Sequence, residues 1–316
     1  MPHPTITGAS PSRRALMRGL IGAAVGLPAA GAVTGCTTAS VTLAKETNAV
    51  PEVDLSPIAE VPEIAALVPE HIRSKGTLVN GCAANYAPGE FLSNGEPVGY
   101  DIDVFNAIGR VLGMGTRTDN AVFAQIIPAI GSKYDLGMSG FTINAERLAA
   151  VSMISYFEAG ISYAVATGNP YRIDPSALCG TTPAVQVGTY QEELVRAADQ
   201  ECRDAGADGL RILAYESNND AVTNVAGKKA DIFIADSPVT SYAIARSRGT
   251  LEQIGDIQES ALNGIAVAKS EPEFAEAVRA AVQHLIDSGH MLRIMQAWGT
   301  ESGMIDNAEI NPADAG

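Results

Sequence analysis

The hydrophobic pattern of the chain alternates from residue 77 onward between short apolar runs and stretches with helical spacing. The apolar runs predict strands over residues 78–84, 134–138, 184–187, 231–235 and 264–268. Helical spacing predicts helices between these runs and two more at the C-terminus, which are separated at Ser288 and Gly289. Such an alternation of strands and helices predicts an α/β fold.

Polar residues at the starts of these helices are predicted N-caps. Asp101 and Asn144 each precede an apolar series with helical spacing. Thr189, with Glu192 three residues later, forms a capping-box pattern. Pro238 follows the apolar run over 231–235 and fits the first turn of another helix. The sequence therefore predicts a recurring order of strand, turn and capped helix.

The first 36 residues have the pattern of an export signal. Three arginines precede an uncharged apolar stretch over residues 19–33, which is shorter than the roughly 20 residues that cross a bilayer. The stretch ends in VTGC, which resembles a lipobox and implies cleavage before Cys36 and acylation of its thiol. An ordinary secretory peptide with an incidental cysteine is the alternative. We expect a mature protein anchored by lipid to the outer face of the cytoplasmic membrane.

The export route stays open. Residues 12–16, with the sequence SRRAL, resemble a twin-arginine signal. A plain basic region ahead of the apolar stretch is the alternative.

The charge of the chain excludes one class of partner. Removing residues 1–35 takes away three basic side chains and no acidic one, which changes the net charge from −15 to −18. Such an acidic surface repels phosphate backbones, so we expect no nucleic-acid partner. The histidines are scattered, and no metal, cofactor or hydrolase motif is present, so we expect neither a metal nor a cofactor.

Three cysteines remain once Cys36 is set aside, and three cannot all pair. Cys179 lies just before the apolar run over 184–187, and Cys202 lies near the end of the helical stretch over 191–203. A strand of about five residues rises roughly 17 Å and a helix of about 13 descends roughly 20 Å, which returns the two cysteines to a similar level. We therefore predict a Cys179–Cys202 disulfide, which is typical of an oxidising compartment, and a buried free thiol at Cys82.

Four segments together resemble the polar amino acid class of periplasmic solute-binding proteins that serve ABC transporters, known as solute-binding protein family 3. They are NYAP with VGYDIDVFNAIGRVLG, then IIPAIGSKYDLGMSGFTINAER, then VQVGTYQE, and finally ADIFIAD with HLIDSGHMLRIMQAWG. Their order and spacing match the family from about residue 70 to residue 300. The resemblance implies two Rossmann-like lobes joined by two hinge crossings, as in type II periplasmic binding proteins. A ligand would bind in the cleft between the lobes.

This resemblance implies a division of the chain into five parts. Residues 1–35 form the signal peptide, and residues 36–69 form a flexible acidic and proline-containing tether. The first lobe comprises residues 70–159 together with 261–305, and the second lobe comprises residues 160–260. Residues 306–316 form a C-terminal tail.

A zwitterionic ligand requires a fixed cation and a fixed anion in the cleft. Arg147 is the candidate for the carboxylate, because a guanidinium donates to two oxygens at once, and the family pattern adds Thr142 and the Gly140 backbone. Asp236 matches the family's acid that receives the ammonium. The alternatives are a surface Arg147 paired with an acid such as Glu146, and an Asp236 that only caps a helix.

Further candidates follow from the same resemblance. Thr189 and Tyr190 occupy the family's G-T-T segment, whose backbone N–H groups meet the carboxylate at a helix start. Tyr190 replaces a threonine there, so its phenol would narrow the pocket or supply a hydroxyl. Tyr86 and Phe123 match positions that line the side-chain pocket, with ordinary core packing as the alternative.

The ligand is expected to be a small polar amino acid. The family's cation binders often carry an acid just before the Tyr86 position, whereas this chain has Ala83, Ala84 and Asn85. We therefore expect glutamine or another polar neutral amino acid. Arg117 is the one nearby cation for a dicarboxylic ligand.

The function implied by the resemblance is binding an amino acid as a monomer and delivering it to an ABC transporter permease, without enzymatic activity. One alternative is an exported dehydratase on the same fold, which needs a positioned acid or base. The other is a sensory module that reports ligand occupancy to a membrane receptor through the same lobe closure.

Overall fold

A computed structural model describes residues 50–313 of the chain. The signal peptide and Cys36 predicted from the sequence lie outside these residues. The strands are β1 (Thr77–Cys82), β2 (Asn85–Tyr86), β3 (Glu90–Ser93), β4 (Glu96–Val98), β5 (Gly115–Asn120), β6 (Leu136–Gly137), β7 (Val151–Ala166), β8 (Pro183–Gln186), β9 (Leu213–Tyr215), β10 (Ile232–Asp236) and β11 (Leu251–Ala268). The α-helices are α1 (Pro62–Ala65), α2 (Glu70–Arg73), α3 (Tyr100–Val111), α4 (Ala145–Ala150), α5 (Tyr190–Asp204), α6 (Asn218–Ala226), α7 (Ser237–Arg246), α8 (Pro272–Asp287) and α9 (His290–Trp298).

Eight strands form one sheet in the order β5-β1-β6-β11-β7-β10-β8-β9. At one end β1 pairs in parallel with β5 and β6, and at the other end β8 pairs in parallel with β9 and β10. The two ends therefore have the same internal order, with the first strand of each unit between its second and third. The predicted α/β fold with two Rossmann-like lobes is confirmed, and a topological repeat appears where the sequence shows none.

The long strands β7 and β11 join the two parallel units and run antiparallel to each other. The first part of β7 pairs with the last part of β11, next to β6, while the last part of β7 pairs with the first part of β11, next to β10. Register shifts in this ladder lie between Ile254 and Gly264. Irregular pairing there lets both strands change direction together, so they are the two connections between the lobes.

Separate cores stabilise the two lobes. Lobe 1, built on β5, β1 and β6, buries α3, α8 and α9 against the sheet, with Tyr100, Phe105 and Phe274 among the side chains excluded from water. Lobe 2, built on β10, β8 and β9, has one core on each face of its sheet. Tyr86 comes from β2 of lobe 1 but packs into a lobe 2 core, so the lobes are closed onto each other.

The segment before lobe 1 is packed against it and is not a tether. Ile58 and Val68 are buried in the lobe 1 core, and the Val61 N–H donates to the Val111 carbonyl at 3.0 Å. The prediction of a flexible tether over 36–69 is therefore wrong for residues 58–69, because their apolar side chains complete the core. Its part before residue 50 lies outside the described residues.

The C-terminal tail extends the edge of the same lobe. The Ser155 N–H donates to the Glu309 carbonyl at 2.9 Å, and the Asn311 N–H donates to the Met153 carbonyl at 2.8 Å. Ala308 is buried. Residues 309–311 of the predicted tail are therefore paired with β7.

The predicted caps are partly confirmed. Asn144 caps α4 by accepting from the Arg147 N–H at 2.9 Å, and Thr189 caps α5 by accepting from the Glu192 N–H at 3.2 Å. The prediction that Asp101 caps α3 is wrong: the cap position is Gly99, two residues earlier, so Asp101 lies in the first turn of α3 with its carboxylate buried inside the lobe.

The predicted cysteine chemistry is confirmed. Cys179 and Cys202 form a disulfide that ties the loop before β8 to α5, and Cys82 is a buried free thiol. Within residues 50–313, no helix is both long enough and apolar enough to cross a membrane.

Candidate functional site

The candidate residues converge because they follow the carboxyl ends of parallel strands in both lobes. Tyr86 follows β1, Phe123 follows β5, and Gly140 and Thr142 follow β6. In lobe 2, Thr189 and Tyr190 follow β8, and Asp236 is the last residue of β10. Open parallel sheets bind ligands at this edge. We refer to the space between the two sets of strand ends as the cleft.

Arg147 is buried at the first turn of α4, with 7% of its surface exposed. Its guanidinium donates to the Thr142 carbonyl at 2.6 Å within lobe 1 and to the Gly188 carbonyl at 3.0 Å in lobe 2. The rings of Phe123 and Phe141 lie 5.6 and 5.5 Å from its central carbon. Burial lowers the pKa of Arg147, although nearby acids oppose the shift. Within the described residues, these contacts fix the guanidinium in place through carbonyls and aromatic rings, without a carboxylate partner.

Asp236 is the matching anion and is 6% exposed. Its carboxylate accepts a hydrogen bond from the Tyr86 hydroxyl, which crosses from lobe 1, and one from the Gln191 amide at 2.6 Å. Its side chain makes no capping bond to α7, so the cap alternative is not what orients it. Burial raises the pKa of Asp236, while these hydrogen bonds and the charge of Arg147 oppose the rise.

The two opposite charges are close enough to influence each other but do not pair. Among the described residues, neither Arg147 nor Asp236 forms an ion pair with a side chain of opposite charge. Each charge is nevertheless almost fully removed from water, which is costly unless a partner of opposite charge is supplied. The alternative of a surface Arg147 paired with Glu146 does not occur.

Glycines allow the backbone to approach at two points of the cleft. Gly140 has φ +54°, and a Cβ there would lie 2.6 Å from the Tyr86 ring. Gly188 has φ +77°, and a Cβ there would lie 2.9 Å from the Cβ of Ala124 in the opposite lobe. A larger residue at either position is therefore strained and obstructs the contact.

Thr189 and Tyr190 contribute differently from each other. The Thr189 hydroxyl caps α5 and donates to the Gln186 carbonyl at 2.7 Å. The Tyr190 ring packs against a lobe 2 core, and its hydroxyl donates to Glu259 at 3.4 Å. This leaves the Tyr190 backbone N–H, at the start of α5, as its group for an anionic ligand.

Sequence reasoning missed the roles of Asn85 and Gln186 in a second group of polar contacts across the cleft, which also includes Asn218. Asn85 of lobe 1 accepts from the Gln186 amide at 3.0 Å and from the Asn218 N–H at 3.4 Å, and Gln186 accepts from the Asn218 amide at 2.8 Å. Gln191 was also missed as a partner of Asp236. Both glutamines lie within the VQVGTYQE segment, so the motif included them. The sequence, however, does not distinguish a glutamine that contacts the cleft from one at an ordinary helix or strand position.

A cavity of about 710 Å³ also opens between the lobes, beyond Asn85 and Asn218. Its lining includes Phe91, Tyr242 and Trp298, but neither Arg147 nor Asp236.

Arg117, the candidate for a dicarboxylic ligand, pairs with Asp119 at 3.2 Å and is largely exposed. In residues 50–313, no group of three or more His, Cys, Asp and Glu side chains is arranged to hold a metal ion.

Comparisons with known proteins agree with this architecture. The profile of the bacterial extracellular solute-binding proteins, family 3, matches residues 78–301. The arginine-binding protein ArgT of Corynebacterium glutamicum is 39% identical over 254 residues, which are 79% of this chain and 83% of that relative.

Two solved structures add the fold. An ancestral arginine-binding protein bound to arginine is 29% identical, with a TM-score of 0.65 over 71% of this chain and 98% of that one. The ancestral amino acid-binding protein AncCDT-1, described as a precursor of cyclohexadienyl dehydratase, is 28% identical, with a TM-score of 0.66 over 74% of this chain and 99% of that one. This chain therefore belongs to family 3 of the bacterial extracellular solute-binding proteins.

Proposed function

We propose that this protein binds one amino acid in the cleft, with Arg147 holding the α-carboxylate and Asp236 holding the α-ammonium, and delivers it to an ABC transporter permease. The observation that supports this proposal is a pair of buried opposite charges, one on each lobe, that do not pair with each other. A zwitterion supplies the missing partner to both charges at once. Charge-assisted hydrogen bonds contribute about 1.5–3 kcal/mol each, so the ligand also holds the lobes together.

The ligand we propose is arginine. The similar proteins that are described as arginine-binding support this choice, together with the flat faces of Tyr86 and Phe123 in the cleft, on which a guanidinium stacks well. The expectation of a neutral ligand, based on Ala83, Ala84 and Asn85, points to glutamine instead. The two ligands differ in charge at the side-chain end, so a direct comparison separates them.

Calorimetric titration of the purified protein with arginine, lysine and glutamine tests both levels of the proposal. We expect arginine to bind with a dissociation constant near micromolar, about −8 kcal/mol, and at least tenfold more tightly than glutamine. Tighter binding of glutamine would refute arginine but not amino-acid binding. If the titration is extended to all twenty amino acids and none binds, the proposed binding site itself is refuted.

Lobe closure is the step that links binding to delivery. We place the two hinge crossings near residues 159–160 and 260–261, at the junctions of lobe 1 (70–159 with 261–305) and lobe 2 (160–260). Arginine uptake by membrane vesicles that contain the transporter tests delivery: uptake should require this protein. Binding without any stimulated uptake would favour the sensory alternative.

Two further features belong to the same proposal. We propose anchoring through acylated Cys36, so that C36S releases the protein from membranes and ends its labelling by fatty acid. We also propose that the protein has no dehydratase activity. The similarity to AncCDT-1 makes this worth an assay with prephenate and arogenate, in which turnover would contradict a binding-only role.

A further inference from the structure

Two carboxyl groups are fully buried behind the lobe 1 wall of the cleft. Glu90 of β3 and Asp101 of α3 are both 0% exposed. Within residues 50–313, neither carboxyl forms an ion pair with a lysine, arginine or histidine. Two adjacent carboxylates without a cation would repel each other and would both pay the cost of leaving water.

The hydrogen bonds around this pair leave one oxygen without a donor. The Ser139 hydroxyl donates to Glu90 Oε1 at 2.5 Å, while Asp101 accepts from the Tyr156 hydroxyl at 2.7 Å and from the Gly140 N–H at 3.1 Å. Glu90 Oε2 is buried and accepts from no donor in the described part of the chain. A proton on Glu90 resolves both problems, because a neutral carboxyl group has a hydroxyl that donates to the neighbouring Asp101.

The same groups hold the segments that line the cleft. The Ser139 hydroxyl oxygen accepts from the Ala83 N–H at 2.9 Å, and Gly140 lies directly against the Tyr86 ring. Tyr86 in turn reaches Asp236 in lobe 2. The carboxyl pair is thereby connected to Asp236, although both of its members are fully buried behind the cleft wall.

We propose that Glu90 and Asp101 hold one proton between them at neutral pH, and that as positioning residues they fix Gly140 and the Tyr86 ring for ligand binding. The second half of this inference rests on the proposed function, whereas the shared proton does not. The proton keeps the pair at one negative charge, with Asp101 as the anion that accepts the Gly140 N–H.

Among the described residues, the titratable groups around the pair are acids and neutral groups. The titratable side chains that face it from the neighbouring elements are Cys82 of β1, Tyr86 of β2, Tyr100 of α3, Tyr156 of β7 and Asp236 of β10. Burial raises the pKa of Asp101 to about 6 and raises the pKa of Glu90 well above its ordinary value. Since the folded state keeps a proton that the unfolded state releases, the stability of the fold falls as pH rises above the ordinary pKa of glutamate.

The test compares E90Q and E90A with E96Q, an exposed control on the same hairpin. At neutral pH, the infrared spectrum of wild type should contain the carbonyl band of a protonated carboxylic acid that E90Q lacks and E96Q retains. The melting temperature of E90Q relative to wild type should increase as pH rises, because the glutamine amide makes the same hydrogen bonds without a titrating proton.

Ligand titration tests the positioning role. E90A should bind arginine at least tenfold more weakly than wild type, and E90Q should restore most of this loss. Absence of the carbonyl band, or an E90Q melting difference that does not change with pH, would refute the shared proton. Equal affinity of E90A and wild type would refute the positioning role. If wild type binds no amino acid, the proposed function fails, while the infrared result still decides the proton.

Discussion

Replacement of Arg147 tests the assignment of the ligand carboxylate most directly. R147A removes the guanidinium, whereas R147K keeps a positive charge but replaces the planar fork by a single ammonium group. In the closed structure the guanidinium bridges the Thr142 and Gly188 carbonyls at 2.6 and 3.0 Å. Both variants therefore change closure as well as ligand binding.

The magnitude follows from the two hydrogen bonds that a guanidinium forms with one carboxylate. Each contributes about 1.5–3 kcal/mol when charged, so R147A should lose about 3–6 kcal/mol of binding free energy. At 1.4 kcal/mol per decade, affinity falls roughly 100- to 10,000-fold. R147K keeps one such bond and should lose about half as much on the logarithmic scale.

Calorimetry and the fluorescence of Trp298, the one tryptophan in the sequence, both measure binding. Thermal unfolding without ligand measures the separate cost of leaving the two carbonyls unpaired. R211Q, at an exposed arginine of lobe 2, is the matched control and should bind like wild type. If R147A binds arginine within threefold of wild type while remaining folded, Arg147 does not hold the carboxylate.

Three further predictions concern Asp236, the turn at Gly140 and the Cys179–Cys202 disulfide. D236N should weaken binding about 100-fold, because a charge-assisted partner of the ammonium is lost. In wild type, affinity should fall as acid protonates Asp236, whereas stability measured without ligand should fall as pH rises above the ordinary aspartate pKa, because burial raises the pKa of Asp236 in the folded state. In titrations over a pH series, D236N should lose the affinity trend and should show a shallower fall in stability, since the Glu90 contribution remains; unchanged slopes would assign both trends to other groups. G140A should weaken binding and lower the free energy of urea unfolding by about 1–3 kcal/mol, since φ is +54° and the added Cβ meets the Tyr86 ring. A G140A variant as stable as wild type would contradict this strain. Replacing Cys179 and Cys202 by serine should lower the free energy of unfolding by about 3 kcal/mol, as expected for a sequence separation of 23, and leave the ligand dissociation constant unchanged. An equal loss of unfolding and binding free energy would mean that the disulfide also shapes the cleft.

Local patterns were sufficient to predict much of the fold. The Asn144 and Thr189 caps, the two C-terminal helices and the Cys179–Cys202 pair depend on short-range spacing, which a single sequence contains. The long strand β7 was missed because its residues are apolar on both faces, so they show no alternation. The length of β11 was missed for the opposite reason, since its middle is exposed and polar where it passes between the lobes.

The candidate site could be predicted where a motif identified the residue. The prediction was incomplete where a polar contact depends on a residue of the opposite lobe. Arg147 and Asp236 were predicted because their positions match the family; both are buried, Arg147 in the first turn of α4 and Asp236 at the end of β10. The contacts among Asn85, Gln186 and Asn218 join residues far apart in the chain, and no local pattern indicates which of them pair. Asp101 was assigned as a cap because its spacing fits one, but a buried proton-sharing pair has no sequence signature.

The contacts that join the lobes in the closed structure also bear on affinity. Its lobes are joined by hydrogen bonds that a ligand would replace, such as those from Tyr86 to Asp236 and from Arg147 to Gly188. They are also joined by contacts that a ligand would leave in place, such as the Phe91 ring 5.9 Å from that of Tyr242. The first kind competes with the ligand, and the second kind stabilises closure with or without it. A ligand shifts the equilibrium between open and closed lobes only by its differential affinity for these two states. Contacts of the second kind therefore set how much of the ligand's binding free energy is used for closing the lobes.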